Sequence, residues 1–239
     1  MRIFDCHFHV EENPEGYTLA NVKAKNVIFN YVENYRNHAP KLSPDCCCSL
    51  ILDLKGEFPF VLKEINEGRV KALKIHSVIQ QLPQLCSSVL LRKLEEVNPE
   101  IPVIYDAFYY GPDYQYRPCL QTLIDLCVAQ PERKFIVAHS GGTRLLEYFF
   151  HLRPLKNVFY DLSLSLQYLS DTSVWPDLIK LMKYTDKCRI MFGTDYYFHD
   201  PEVQLRNILE VMKNLSYTDS DIDKVLYSNA SEIFKFNPA

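Results

Sequence analysis

The sequence is poor in the features that mark nucleic-acid-binding, secreted and membrane-spanning proteins. Lysine and arginine number 26 against 30 aspartate and glutamate residues, so the net charge of −4 indicates no basic surface for nucleic acid. No apolar run approaches the roughly 18 residues that cross a bilayer. The first residues also lack the charged and apolar regions of a secretory signal. These absences lead us to expect a cytoplasmic protein without a nucleic-acid or membrane partner.

Paired cysteines are also missing, although the chain has eight cysteines. Three are consecutive, Cys46, Cys47 and Cys48, in the strand-like run CCCSLILDL, and no two cysteines form a C-x-x-C pair. Zinc held by thiolates normally requires such pairs, so a structural zinc site is disfavoured. In a reducing compartment these residues behave as small buried apolar side chains.

Glycine is scarce, with seven residues, and three of them lie beside polar residues of interest. Gly141 and Gly142 follow His139, and Gly193 lies two residues before Asp195. Glycine inside a strand usually marks a close approach of another group, which we expect for Gly193. For the Gly-Gly pair, an ordinary turn and a backbone with positive φ beside a ligand are both open.

Apolar strand-like runs alternate with helical patterns along the chain. The predicted strands are RIFDCHFHV, NVIFNYV, CCCSLILDL, VKALKIHS, IPVIYDAF, KFIVAHSGG, NVFYDLSLS and CRIMFGTDYYF. This alternation predicts parallel β-α units, and eight of them close into an α/β fold, the (β/α)₈ TIM barrel. We therefore expect one domain over residues 1–239. The stretch YTLANVKAKN is predicted as a short helix, and ENYRNHAPKLSPD shows no clear helix, so the second β-α unit is expected to be distorted.

The first strand carries polar residues that a buried strand does not need. Strict alternation places Asp5, His7 and His9 on one face. The opposite face would be the apolar set Phe4, Cys6, Phe8 and Val10, packed against helices. Each buried polar group without a partner costs roughly 1–3 kcal/mol, so these residues must meet a metal ion, a hydrogen-bond network or a water-filled cavity. A pair of hydrogen-bonded core histidines is the structural alternative.

Further polar residues follow the later strands. They are Lys74 and His76, Asp106, His139, Asp161 and Ser163, and Asp195. Active-site groups of a TIM barrel come from the C-terminal ends of its strands, where side chains from separate strands meet. Histidines, carboxylates and a lysine are therefore expected to converge on one catalytic pocket.

The ordered segments F-D-C-H-F-H, K-A-L-K-I-H, F-I-V-A-H-S-G-G, V-F-Y-D-L-S, M-F-G-T-D-Y and Y-S-N-A resemble the amidohydrolase superfamily. The most similar branch is the amidohydrolase-2 group of metal-dependent TIM-barrel hydrolases and decarboxylases. The resemblance implies that His7 and His9 are metal ligands. It also implies that His139 binds metal or contacts the substrate, and that Asp195 holds metal and accepts the proton of the attacking water.

A function is expected on the same basis. The resemblance implies a hydrolase that acts on a small amide, lactone or ester through a water activated by a divalent metal ion, expected to be zinc. Non-oxidative decarboxylation of an unsaturated or aromatic carboxylic acid is the alternative reaction. A catalytically degenerate barrel with a binding role is the third interpretation.

The fifth strand departs from the family pattern. Many relatives end this strand with P-V-x-x-H, whereas this chain has Asp106 in place of the histidine. A carboxylate can also bind a metal, so Asp106 is a candidate ligand, but the match to a two-metal site is weakened. We therefore expect one ion. Lys74 lies where some superfamily members use a carboxylated bridging lysine, and it equally suits a hydrogen-bonding or substrate-facing role.

Residues around the expected pocket are candidates for substrate binding. They are Lys74, His76, Tyr105, Arg144 and Tyr196, with Arg144 suited to a substrate carboxylate because it follows Gly-Gly at a helix start. Arg117 is a second cation of this kind, and surface exposure is the alternative for both arginines. Aromatic residues after the fifth and eighth strands, Phe108, Tyr109, Tyr110, Tyr114, Tyr116, Tyr197 and Phe198, suit a planar ligand. Packing within the loops or a subunit contact explains them equally, which leaves a homo-oligomer open.

Asp5 has two interpretations. As a group behind the metal ligands it would orient a histidine ring through the nitrogen that faces away from the ion. As an ordinary turn residue it would accept hydrogen bonds from nearby loop backbone. The sequence does not decide between these roles.

Overall fold

A computed structural model describes residues 1–9, 19, 22–83, 86–109, 116, 118–196 and 200–236. Eight strands form one sheet in which every neighbouring pair is parallel and the spatial order follows the chain. They are β1 (Ile3–Phe8), β2 (Val22–Phe29), β3 (Cys46–Ile51), β4 (Val70–Ile75), β5 (Val103–Asp106), β6 (Phe135–Ala138), β7 (Val158–Asp161) and β8 (Ile190–Met191).

Helices follow most of the strands, as the alternating pattern predicts. They are α1 (Val32–His38), α2 (Phe58–Asn66), α3 (Ser87–Leu94), α4 (Leu120–Ala129), α5 (Leu145–Leu152), α6 (Ser165–Tyr168), α7 (Trp175–Tyr184), α8 (Pro201–Asn214), α9 (Asp219–Asp223) and α10 (Asn229–Ile233). The five residues Lys224–Ser228 join α9 to α10 as a π-helical turn. None of these helices is both long and apolar enough to cross a lipid bilayer.

Backbone hydrogen bonds close the sheet into a barrel. The amide of Cys6 on β1 donates to the carbonyl of Phe192 (N···O 3.0 Å), and the amide of Asp195 donates to the carbonyl of His7 (2.8 Å). One step further along, the amide of His9 donates to the carbonyl of Tyr196 (3.1 Å). The first strand is thereby joined to the segment after the eighth, and the predicted (β/α)₈ TIM barrel is confirmed.

Two apolar clusters fill the fold. The inner cluster takes side chains from every strand: Phe4, Cys6, Ala24, Ile28, Cys47, Ala72, Ile104, Ile136, Ala138, Phe159 and Met191. Three aromatic rings from the C-terminal segment cover this cluster at the N-terminal end of β1, because Tyr227, Phe234 and Phe236 all pack against Phe4. The larger outer cluster lies between the strands and the surrounding helices. The polar strand ends therefore lie at the opposite, C-terminal rim of the barrel.

The simple alternation predicted for β1 is wrong. Phe4 and Cys6 belong to the inner cluster, but Phe8 belongs to the outer one. Asp5 pairs with Lys25 and Phe8 pairs with Val27, so three steps along β1 face two steps along β2. The extra residue in β1 is a β-bulge. Between Asp5 and Phe8 it shifts the alternation of side chains, so that later residues point to the opposite face from the one predicted. Asp5 therefore does not share the face of His7 and His9.

Two further predictions about the second β-α unit are corrected. The predicted helix YTLANVKAKN is wrong from residue 22 onward, because Val22–Phe29 form β2, and its positions 17, 18, 20 and 21 lie outside the described residues. The stretch ENYRNHAPKLSPD does contain a helix, since α1 is followed by a 3₁₀ turn at Ala39–Lys41. Only Val32 and Tyr35 of α1 are buried, so its apolar pattern was too short to detect.

Candidate active site

Buried polar side chains from six strands meet at the C-terminal rim of the barrel. They are His7, His9, Lys74, His76, Asp106, His139, Asp161, Ser163 and Asp195, and each is at most 8% exposed. The predicted convergence of strand-end residues is therefore confirmed as a spatial arrangement.

Three acceptor atoms face one another at the centre of this group. The Nε2 atoms of His7 and His9 are 3.2 Å apart. The Oδ1 atom of Asp195 lies 3.5 Å from Nε2 of His7 and 3.3 Å from Nε2 of His9. These atoms form a nearly equilateral triangle, which is one of the groups in this structure that could hold a metal ion.

The hydrogen bonds behind the two rings fix which nitrogen faces the triangle. His7 Nδ1–H donates to Oδ2 of Asp161 (N···O 2.5 Å), and His9 Nδ1–H donates to the carbonyl of Ile28 (3.0 Å). A carboxylate and a carbonyl can only accept, so both Nδ1 atoms carry a proton and both Nε2 atoms face the triangle. Burial, together with the charge of Lys74, lowers the pKa of His7 to about 4, so this ring is neutral at pH 7.

The triangle fits the ligand geometry of a divalent ion. Ligand atoms about 2.1 Å from a tetrahedral ion are separated by roughly 3.4 Å, which matches the observed edges. A second group, His7, His139 and Asp161, also brings ligand atoms together. Its contact between His7 and Asp161 is only 2.5 Å long, too short for two ligands of one ion and right for a charge-assisted hydrogen bond.

Asp161 is the carboxylate that orients a histidine. Its Oδ1 accepts from the amide of Ser163 (2.7 Å), and its Oδ2 accepts from the Ser163 hydroxyl (2.8 Å) as well as from His7. Burial opposes ionisation, but the contact with His7 outweighs it and lowers the pKa of Asp161. The sequence placed Asp161 at a strand end without assigning it this role, which depends on a contact 154 residues along the chain.

Asp5 has the second of the two roles that were considered. Its carboxylate accepts from the amide of Thr194 (2.9 Å), from the Thr194 hydroxyl (2.6 Å) and from the amide of His7 (3.2 Å). Burial raises the pKa of Asp5 to about 7. Because Thr194 immediately precedes Asp195, Asp5 fixes the backbone next to Asp195. It does not orient a histidine ring.

The backbone is sterically restricted at Gly193 and has an unusual conformation at Asp195. A Cβ atom on Gly193 would lie 2.9 Å from Oδ1 of Asp161, 2.9 Å from Cβ of His7 and 3.1 Å from Sγ of Cys6. The expected close approach at Gly193 is therefore confirmed. Asp195 itself has a φ of 53°, a conformation that non-glycine residues rarely adopt and that often marks functional sites.

The electrostatic environment keeps Asp195 ionised. Burial opposes the charge, but the positive charge of His139 and the nearby rings of His9 and His7 outweigh it and hold the pKa of Asp195 well below its ordinary value. The carboxylate is thus ionised and able to serve as a ligand for a cation.

Lys74 and Asp106 form a buried ion pair beside the triangle. Lys74 Nζ lies 3.3 Å from Oδ2 of Asp106 and also 3.3 Å from Nε2 of His7. The Nε2 atoms of His76 and His139 each lie 3.6 Å from the same Asp106 oxygen. Burial opposes ionisation of Asp106, but its contacts with His76, Lys74 and His139 outweigh it and lower its pKa. The aspartate that replaces the family histidine is therefore held by Lys74.

His139 is held in a strained turn. His139, Ser140, Gly141 and Gly142 all have positive φ, and a Cβ on Gly142 would lie 2.6 Å from the ring of Phe108. The interpretation of the Gly-Gly pair as positive-φ backbone is confirmed. Burial opposes a charged ring, yet the carboxylates of Asp195 and Asp106 raise the pKa of His139 to about 9. Its Nδ1 faces the hydroxyl and carbonyl of Ser163 at 3.1 and 3.2 Å.

Three further residues were predicted to contact the substrate. Arg144 pairs with Glu147 and stacks over the ring of Tyr109. Tyr105 belongs to the outer cluster, where its hydroxyl bonds to the backbone of Cys119. Tyr196 stacks on Phe8, with ring centroids 5.3 Å apart. The positions of Tyr105 and Arg144 give no support to direct substrate contact, because their polar groups are engaged elsewhere.

Several residues named in the sequence predictions lie outside the described residues. They are Val10, Tyr110, Tyr114, Arg117, Tyr197 and Phe198. Among the described aromatic residues, Phe108 packs edge-on against His139, with ring centroids 5.9 Å apart.

The fold and the rim together define a TIM-barrel protein with a histidine–aspartate group that could hold a metal ion. The chain belongs to the amidohydrolase family, because the family model described as Amidohydrolase (Amidohydro_2) matches residues 62–236. No curated protein sequence matches this chain.

Solved structures share the fold at low sequence identity. A Pseudomonas putida protein assigned as a 2-pyrone-4,6-dicarboxylic acid hydrolase is 14% identical, with a TM-score of 0.67 and coverage of 99% of this chain and 98% of that one. A dihydroxybenzoic acid decarboxylase from a Polaromonas species, with bound manganese and the inhibitor 2-nitroresorcinol, is 13% identical, with a TM-score of 0.67 and coverage of 100% and 98%. An inactive dihydroorotase-like domain from Chaetomium thermophilum is also 13% identical, with a TM-score of 0.67 and coverage of 91% and 71%. At these identities the similarity shows the fold alone.

Proposed function

We propose that this protein is a metal-dependent hydrolase of a small organic substrate with an amide, lactone or ester bond. The observation that carries the proposal is the triangle of His7 Nε2, His9 Nε2 and Asp195 Oδ1, whose edges of 3.2, 3.3 and 3.5 Å suit one divalent ion. Two neutral imidazoles and a carboxylate are ligands that zinc prefers, and zinc is the ion we propose. When bound there, such an ion supplies a Lewis acid that polarises a carbonyl group and acidifies water.

The chain's own residues would handle the proton. Asp195 is ionised and accepts the proton of the attacking water, whose oxygen bonds to the carbonyl carbon of the substrate. His139 lies beside Asp106, with its Nε2 3.6 Å from Oδ2, and is suited to donate a proton to the departing oxygen or nitrogen. Asp161 keeps the His7 ring in the required tautomer throughout.

Lys74 and His76 would bind the substrate. Nζ of Lys74 and Nε2 of His76 lie 3.3 and 3.6 Å from the same Asp106 oxygen, on the Asp106 side of the triangle. A buried ammonium group favours an anionic or strongly polar substrate, so a carboxylate-bearing substrate is the class that this site suits best.

Decarboxylation of an unsaturated or aromatic acid is the second candidate reaction. The observation that favours it is the same cluster of Lys74, His76 and His139, since a carboxylate held by these groups would lie beside the metal ligands. A barrel that binds small molecules without turnover is the third candidate, and the inactive Chaetomium thermophilum domain shows that this fold also occurs without activity.

Product analysis separates these candidates. Purified protein supplied with zinc would be incubated with a panel of lactones, esters and amides and with a panel of unsaturated and aromatic acids. We expect ring opening or bond hydrolysis without carbon dioxide release. Carbon dioxide release would favour the decarboxylase, and no turnover on either panel would favour the binding role.

A further inference from the structure

The peptide group between Thr194 and Asp195 is held at both of its polar atoms. Its N–H, which belongs to Asp195, donates to the carbonyl of His7 (N···O 2.8 Å). Its carbonyl, which belongs to Thr194, accepts a hydrogen bond from Nε2 of Gln204. Because a peptide group is planar, these two contacts fix the orientation of the plane, and with it the positive φ of Asp195.

Gln204 is a buried polar residue from the surrounding helices. It lies on α8, ten residues after Thr194, and is 0% exposed. Its second polar atom, Oε1, is buried without a hydrogen-bond partner among the described residues. An unpaired buried acceptor costs free energy, which an apolar side chain of the same length would avoid. The contribution that only the amide can make here is its hydrogen bond to Thr194.

The other contacts of this segment do not replace that hydrogen bond. Asp5 accepts from the amide and the hydroxyl of Thr194, and the amide of Tyr196 donates to the same hydroxyl at 3.2 Å. None of these contacts involves the Thr194 carbonyl. A non-glycine residue with positive φ keeps this conformation only when its surroundings hold it. Without Gln204 the carbonyl could therefore turn toward another donor and rotate the peptide plane.

Rotation of this plane would move the carboxylate of Asp195. Its Oδ1 lies 3.5 Å from Nε2 of His7 and 3.3 Å from Nε2 of His9. Ligand distances in metal sites vary by only about 0.2 Å, so a small rotation of the backbone is enough to weaken the site.

We propose that Gln204 is a positioning residue of the active site, whose hydrogen bond to the Thr194 carbonyl holds the backbone of Asp195 and aims its carboxylate at the metal ion. This inference rests on the proposed metal centre at His7, His9 and Asp195. Gln204 acts through the backbone and touches neither the ion nor the substrate.

Manganese binding to purified full-length variants tests the proposal. MnCl₂ is the probe because the eight free cysteines prefer softer ions such as zinc. Gln204→Met keeps the length of the side chain and removes the donor. By titration calorimetry we expect its dissociation constant for Mn²⁺ to rise about tenfold or more, because metal sites lose about 10–100-fold when the groups behind the ligands are displaced. On a substrate from the panels above, kcat should fall while KM changes little.

Gln204→Glu is the conservative variant that should restore function. A buried carboxyl group is favoured in its neutral form, whose O–H can donate to the Thr194 carbonyl. We therefore expect manganese affinity and kcat close to those of the wild type. Gln204→Leu replaces Gln204→Met if the latter does not fold.

Ile208→Val is the matched control for a merely structural effect. Ile208 is buried one turn further along α8 and packs in the outer apolar cluster. Loss of one buried methyl group should lower the melting temperature but leave manganese affinity and kcat unchanged. An equal loss of affinity in Ile208→Val and Gln204→Met would overturn the positioning role.

Hydrogen exchange in metal-free protein provides a test that does not depend on the ion. By nuclear magnetic resonance, the amide of Asp195 should exchange faster in Gln204→Met than in the wild type or in Ile208→Val. Unchanged exchange, or manganese affinity and kcat equal to those of the wild type, would overturn the inference. A wild type that binds no manganese would instead contradict the proposed metal centre, so the two failures are distinguishable.

Discussion

At the scale of single residues, Asp195 carries the largest part of the proposed chemistry. Its carboxylate lies 3.3 Å from His9 Nε2, and the residue is 3% exposed. Its amide donates to the carbonyl of His7, and the preceding residue, Thr194, donates to Asp5. Its side chain is therefore positioned by the fold before any ligand arrives.

Asparagine at this position keeps the size and one oxygen ligand but cannot accept a proton. We expect Asp195→Asn to fold, to retain manganese binding with reduced affinity, and to lose about 10²-fold or more in kcat/KM on a substrate found in the panels above. Steady-state kinetics measure this loss, with Asp171→Asn as the exposed control. Turnover of Asp195→Asn at the wild-type rate would rule out the proton-acceptor role.

The residue scale also shows what the sequence can and cannot predict. The polar strand-end residues were predicted to converge, and contacts among them bring them together at one rim of the barrel: His7, His9, Lys74, His76, Asp106, His139, Asp161, Ser163 and Asp195. Their positions follow from strand order alone, because a parallel barrel brings all C-terminal strand ends to one rim. Roles that depend on a specific distant partner were not predictable, as with Asp161 and His7. For the same reason, the sequence could not show that Arg144 pairs with Glu147.

At the scale of elements, the junction of β1, β7 and β8 determines the spacing of the site. Gly193, just after β8, leaves room for His7, Cys6 and Asp161 to pack against it. The site geometry also requires the bulge in β1, because the bulge brings both Cys6 and His7 against Gly193. A bulge depends on register with another strand, so the sequence pattern of β1 alone did not reveal it.

A methyl group at residue 193 would therefore disturb the His7–Asp161 pair. We expect Gly193→Ala to fold but to bind manganese about tenfold or more weakly, because metal sites lose about 10–100-fold when the groups behind the ligands are displaced. Titration calorimetry measures the affinity. Gly56→Ala is the control, since nothing lies within 4 Å of the Cβ position there. Equal manganese affinity in Gly193→Ala and the wild type would show that the packing is not required.

A second element-level contact joins α1, α2 and the start of β4. Glu64 on α2 accepts from the Tyr35 hydroxyl of α1 (2.7 Å) and from the Arg69 guanidinium (2.6 Å). The hydrogen bond from Arg69 lowers the pKa of Glu64 below its ordinary value. A lowered carboxylate pKa adds stability that is present above the unfolded pKa, near 4.3, and is lost as the pH falls through the folded value.

The melting temperature of Glu64→Gln should therefore lie below that of the wild type at pH 6. The difference should shrink as the pH falls below about 4, where the wild-type carboxylate becomes protonated. Thermal melts between pH 2.5 and 7 measure this trend, with Glu67→Gln as a more exposed comparison. A difference that stays constant over this range would show that the charge of Glu64 does not contribute.

At the scale of the whole molecule, the proposed ion would link the first strand to the segment after the eighth. His7 and His9 come from β1 and its end, whereas Asp195 follows β8, so the ligands span the point where the barrel closes. Among the described residues, three backbone hydrogen bonds make this closure, and β8 is two residues long. A bound ion would stabilise this closure of the barrel.

Removal of the ion should therefore lower the melting temperature. For an ion present at about 100 times its dissociation constant, the lost binding free energy is about 2.7 kcal/mol, and we expect a decrease of roughly 5–10 °C. Differential scanning calorimetry before and after dialysis against a chelator measures it. His7→Gln should show no such decrease, because it lacks a ligand. An unchanged melting curve after confirmed metal removal from the wild type would contradict a linking role.

Whole-molecule architecture was the most predictable level. The eight-strand alternation is repeated along the chain, so single errors did not alter the fold, even though the second strand begins earlier than predicted and α1 was missed. Substrate identity is the least predictable property, because it depends on loops at the rim and TIM barrels host many reactions.

The most direct test of the metal centre is anomalous diffraction from crystals grown with zinc and measured on both sides of the zinc absorption edge. We predict one anomalous peak, about 2.0–2.2 Å from His7 Nε2, His9 Nε2 and an Asp195 carboxylate oxygen, with Lys74 unmodified and paired with Asp106. Absence of a peak among these three side chains would contradict the account, as would two peaks bridged by a modified Lys74.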